Sequence, residues 1–73
     1  MVGAVSSREV SHYDVEPGRL YRFTFRHPVV QGTRKRTVVA SIGSSFWGEV
    51  PFKIGRRVIR IERSEVVRVV EIF

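Results

Sequence analysis

His12 and Asp14 stand two residues apart in "SHYD", and Arg34, Lys35 and Arg36 stand in a row in "GTRKRT". On an extended strand His12 and Asp14 share a face, where a carboxylate can orient an imidazole as a proton acceptor. Nucleophilic catalysis would then need a hydroxyl within hydrogen-bond reach, and no serine here has an evident scaffold to bring it there. His27 precedes Pro28 at the end of an apolar run and reads as a turn residue. The chain has no cysteine, no histidine pair at metal-ligand spacing and no Walker-type phosphate loop. The expectation is a protein that is not an enzyme and holds neither metal nor cofactor.

The basic triplet suits a different chemistry, the holding of anions, and the charge around it is uneven. Residues 1–16 set Arg8 against Glu9, Asp14 and Glu16, whereas Arg19, Arg22, Arg26, Arg34, Lys35 and Arg36 face no acid between Pro17 and Gly48. The middle of a chain with net charge +6 therefore carries the field, which draws polyanions or an acidic protein surface without choosing between them. Arginine accounts for eleven of the thirteen cations. Its planar fork suits phosphate and carboxylate, but a GC-rich genome, which favours Arg and Val codons, accounts for the same bias.

A single-strand nucleic-acid face needs rings exposed beside cations. "LYRFTFR" separates them: Tyr21, Phe23 and Phe25 fall on one face of a strand, Arg22, Thr24 and Arg26 on the other. The rings read as core and the cations as a phosphate-tracking face that the triplet extends, so the basic patch is Arg22, Arg26, Arg34, Lys35 and Arg36. Trp47 is the exception, sharing the parity of Glu49 and Lys53 rather than that of Phe46. It reads either as a surface anchor or as a cap over an open barrel end.

Strands must position these residues. The first 18 residues are polar, lack a sustained period and end in the turn signal Pro17-Gly18. They read as a flexible lead segment whose apolar residues, Val10, Tyr13 and Val15, either dock as a short strand or wait for a partner. The body, residues 19–73, begins with the strand around Tyr21–Phe25. A long loop, "HPVVQGTRKR", leads to a second strand with Val38, Ala40 and Ile42 inward. Phe46, Val50, Phe52 and Ile54 share the inner parity of a third strand, which Pro51 marks as an edge or as bulged. "RRVIRIER" gives a fourth. The ending "SEVVRVVEIF" fits a helical stripe through Val66, Val69, Val70 and Phe73, but its β-branched residues favour a fifth strand, Val67–Ile72, after a turn at Ser64–Val66.

The fold expected is mainly β: a small, strongly bent antiparallel sheet or SH3-like barrel of four to five strands, with an OB-like barrel as the second choice. At 73 residues the chain buries only roughly 60% of its unfolded surface, without disulfides to supplement the core. No apolar run is long enough to span a bilayer and no secretory signal opens the sequence, so a cytoplasmic location is expected.

In length, cysteine-free Arg-rich composition and layout of polar lead segment plus β-rich body, the chain resembles the small transcription regulators of lytic Xanthomonas phages. The resemblance implies a partner, bacterial RNA polymerase in the host cytoplasm, and an activity, inhibition of host initiation with antitermination. It carries no signature motif and assigns no residue. Two readings remain open. In the first, a regulator docks on polymerase through Val10, Tyr13, Val15 and Trp47, with the basic face steering it. In the second, a basic barrel binds nucleic acid without sequence preference through phosphate contacts. The first is preferred, because cations and rings are separated and an acidic lead segment makes a poor nucleic-acid arm.

Overall fold

The alternation in "YRFTF" is realised as a strand in which Tyr21, Phe23 and Phe25 are buried while Arg22 stays exposed. This computed structural model describes residues 7–29 and 32–73. Its strands in chain order are β1 (Ser7–Glu9), β2 (Tyr21–Phe25), β3 (Thr37–Ile42), β4 (Glu49–Ile54), β5 (Arg57–Glu62) and β6 (Val66–Ile72). Short 3-10 turns lie at His12–Asp14 and Arg63–Glu65. Pro17-Gly18 forms the expected turn: Gly18 takes φ 86°, a conformation that a side chain would strain.

Among the described residues the strands form one antiparallel sheet in the order β1-β6-β2-β3-β4-β5. β3 is where it bends. Its Thr37–Ala40 half pairs with β2, and Ser41 and Ile42 pair with Lys53 and Phe52 of β4. The bend folds β4 over β2, so that Phe23 and Phe52, on strands that are not neighbours, meet edge to face at 4.8 Å. Phe46 joins them from the loop before β4, 5.7 Å from Phe23. Each fully buried phenylalanine contributes about 2–3 kcal/mol of hydrophobic stabilisation, which a domain with so little interior needs.

The expected mainly β, bent antiparallel sheet is present, but the barrel alternative is not realised as a closed barrel. β5 and β6 share no ladder among the described residues, because the second edge of β6 is taken by β1: Ser7 pairs with Ile72, Arg8 with Glu71 and Glu9 with Val70. The sheet thus has six strands rather than four or five. Of the expected lead segment, residues 1–6 lie outside the described residues. Residues 7–15 belong to the folded body, since the Val10 N–H donates to the Val69 carbonyl at 3.0 Å and Val15 is only 8% exposed in the core.

Pro51 is not on an edge strand, as β4 lies between β3 and β5. Its missing N–H is harmless because the β3–β4 ladder stops at Phe52. The chain's ending is a strand, not a helix. A register shift opposite Thr24 and Phe25, where Val67 of β6 is the extra residue, lets Val66 and Val69 both turn inward.

Among the described residues one polar side chain sits in this interior. Glu71 is buried opposite Tyr21 and accepts from Arg8 at 3.2 Å and from Arg19 at 2.9 Å. Glu71 and Glu16 together raise the Arg19 pKa above its ordinary value, with the hydrogen bond to Glu71 the leading cause. The two arginines tie β1 and the Pro17-Gly18 turn to β6. Arg8 also lies over the Phe73 ring, 5.9 Å from its centre.

Candidate partner-binding site

Three segments far apart in sequence meet at one end of the sheet: the turn at His12–Asp14, the loop before β4 and the turn at Arg63–Glu65. Ser11 starts the first turn as its cap, its Oγ accepting from the Tyr13 N–H at 3.2 Å and its carbonyl from the Asp14 N–H at 2.9 Å. The tight turn lifts Tyr13 into solvent, 83% exposed, and sends the His12 ring inward against Phe46, edge to face at 5.6 Å. His12 and Asp14 therefore do not share a strand face, because the segment is a 3-10 turn. His12 instead meets Arg63, whose Nη1 lies 3.5 Å from Nδ1, an acceptor when the ring proton is on Nε2.

Arg63 holds the site together. Its N–H donates to the Gly48 carbonyl at 2.7 Å, and its guanidinium lies over the Trp47 indole, 4.6 Å from the ring centre. Phe46 fills the core, whereas Trp47 remains 63% exposed. Between the first turn and β6 lies an open hollow of about 340 Å³, lined by Val10, His12, Tyr13, Arg63 and Arg68 among others. It is polar at its rim and aliphatic at its floor, where Val10 and Val69 pack on the core.

Of the four expected anchors, the structure brings Val10, Tyr13 and Trp47 to this end. Val15 is buried in the core and presents no surface to a partner. Sequence reasoning missed Arg63, Arg68 and the inward role of His12. The proximity of Arg63 to Trp47 has no local signature, because it is created by the β4–β5 hairpin, which sets Glu49 opposite Glu62.

The basic patch is divided. Arg22 lies on the exposed face of β2 between Val39 of β3 and Val70 of β6, and Arg68 stands beside Thr24 on the same face, paired with Glu9 at 3.2 Å. Arg26, Arg34, Lys35 and Arg36 are exposed at the far end of the β2–β3 connection. None of the five expected cations forms an ion pair among the described residues. The separation of rings from cations holds for Tyr21, Phe23 and Phe25, but not for Trp47 and Tyr13, which stand exposed beside Arg63.

His27 pairs with Glu65, Nδ1 to Oε1 at 2.7 Å. Among the described residues no group of three acidic or histidine side chains is placed to hold a metal ion, and no helix is long and apolar enough to cross a membrane. No family model, curated protein or solved structure matches the chain.

Proposed function

We propose that the chain is a non-enzymatic transcription regulator of the cytoplasm that docks on bacterial RNA polymerase, inhibits initiation and acts as an antiterminator. The partner is the one implied by the resemblance to small phage regulators. What supports a docking role is the assembly of Val10, Tyr13, Arg63 and Trp47, distant in sequence, into one surface. Exposed Trp, Tyr and Arg are the residue types that dominate binding hot spots, and Arg63 pre-orients the indole before any partner arrives. The cations Arg22, Arg26, Arg34, Lys35 and Arg36, which form no ion pair among the described residues, add long-range attraction to an acidic partner surface.

A second reading keeps one observation of its own. Trp47 and Tyr13 beside Arg63 could stack bases of a single strand while the cations hold phosphates. Capture from a nuclease-treated bacterial lysate separates the two. The docking reading expects the large polymerase subunits on the wild-type chain and their loss with Trp47→Ala and Tyr13→Ala, both at exposed side chains. Capture only in the absence of nuclease moves the function to nucleic acid, and capture indifferent to both substitutions overturns the site. Deleting the first 14 residues is a poor test, since it would remove β1.

A further inference from the structure

Among the described residues β5 ends the sheet and pairs only with β4. Its backbone phase can be read from the ladder. The Arg63 N–H donates to the Gly48 carbonyl, which makes that pair hydrogen-bonded and, by alternation, Ile61 with Val50 and Ile59 with Phe52 as well. Pro51, which has no N–H, stands opposite Arg60 at an intervening pair, as this phase requires. The N–H and C=O groups of Val58, Arg60 and Glu62 therefore point away from β4, toward the open edge.

On the inner face, Ile59 and Ile61 are only half-buried. With Phe25 and Val29 they line a slot of about 140 Å³, with the His27–Glu65 pair on its wall. The slot lies between β5 and the end of β2, and its volume suits one branched or aromatic side chain.

The charge around this edge is mostly of one sign. Arg56 and Arg57 form no ion pair among the described residues, Arg60 is only 3.8 Å from Glu49, and Glu62 is the single acid of the strand. Across the slot, Phe25 and Val29 donate their N–H groups to the carbonyls of Arg36 and Lys35 at 2.7 and 3.0 Å. The basic triplet is thus fastened to the far wall.

We propose that the β5 edge and this slot bind an extended acidic segment of a partner protein by strand addition. The segment's main chain pairs with Val58, Arg60 and Glu62, one apolar side chain enters the slot, and its carboxylates meet Arg57, Arg60 and the triplet. Charge complementarity selects this occupant. A second copy would set an arginine-rich edge against its like, the arrangement that edge cations discourage. The surface uses none of the residues of the Tyr13–Trp47 site and shares only the basic triplet with the function proposed above, so the two are tested by different substitutions.

The test uses an acetylated peptide of alternating glutamate and valine with one central phenylalanine, titrated into the isotope-labelled chain. Binding should slow amide exchange at Val58, Arg60 and Glu62 and shift the methyl signals of Ile59 and Ile61. Methylating the peptide's alternate amide nitrogens, or substituting Val58→Pro, removes donors at the new ladder and should weaken binding ~10-fold. A lysine-for-glutamate peptide should not bind. Failure of the acidic peptide to bind overturns the proposal. So does equal affinity of the methylated peptide, which reduces the surface to a charge patch. Shifts gathered at Trp47 and Tyr13 assign the peptide to the other site, and full displacement by a single-stranded oligonucleotide of equal charge assigns the edge to phosphates; either also overturns it.

Discussion

β2 and β5 both set large apolar residues at period two on one face, Tyr21, Phe23 and Phe25 in one and Ile59 and Ile61 in the other, yet one is the centre of the core and the other its margin. Phe23 is fully buried, whereas Ile59 and Ile61 remain half-exposed and Val58 lies open to solvent. The difference is not in the alternation. It arises because both edges of β2 are paired, to β3 and β6, and among the described residues only one edge of β5 is. Periodicity tells which side chains share a face. Which faces and edges become covered depends on strand order, which local sequence does not encode.

The largest test of this contrast is truncation on each strand. Phe23→Ala should cost ~3–5 kcal/mol in denaturant unfolding and leave little folded protein, while Ile59→Ala should cost ~1–2 kcal/mol because less area leaves water. Equal losses would mean that β5 is as much a part of the core as β2. A smaller effect belongs to the lock on the other margin. Glu71→Ala leaves Arg8 and Arg19 without their shared acceptor and should cost ~1–2 kcal/mol, the scale of a hydrogen bond to a charged group discounted for exposed partners. Amide exchange at Val10 should accelerate before that at Phe23. Simultaneous acceleration at both would show that β1 is inseparable from the core.

The smallest expected change in stability comes from the basic triplet. Arg34→Ser, Lys35→Ser and Arg36→Ser together should shift unfolding by less than ~0.5 kcal/mol while flattening the salt dependence of any polyanion association. A large loss of stability would instead make this loop part of the framework of the slot.

The aromatic core was legible because Tyr21, Phe23 and Phe25 repeat at period two with charged or polar residues between them. The final strand was legible because β-branched residues outweighed the helical stripe through Val66, Val69 and Phe73. The first strand was not. "SRE" is short, polar and exposed throughout, and it is held by main-chain pairing and by an Arg8–Glu71 contact between residues 63 apart. Openness of the barrel was hidden for the same reason, since it follows from β1 occupying the edge of β6. In the candidate site, Trp47 and Tyr13 could be named from parity and from the surrounding polarity. Arg63 could not, as nothing in "IERSE" points to an indole sixteen positions earlier.

The pairing of Ser7 with Ile72 has a kinetic consequence. β1 can join β6 only after nearly the whole chain has been brought back on itself, a loop closure that no local contact rewards on the way. The β2–β3 and β4–β5 hairpins close far shorter loops and can assemble first. β1 then adds to an edge already formed, so its contacts contribute little to the rate-limiting barrier. Weakening Arg8 or Glu71 should accordingly hasten unfolding while leaving the refolding rate nearly unchanged, so the β1 margin governs the chain's lifetime while the early hairpins govern how fast it forms.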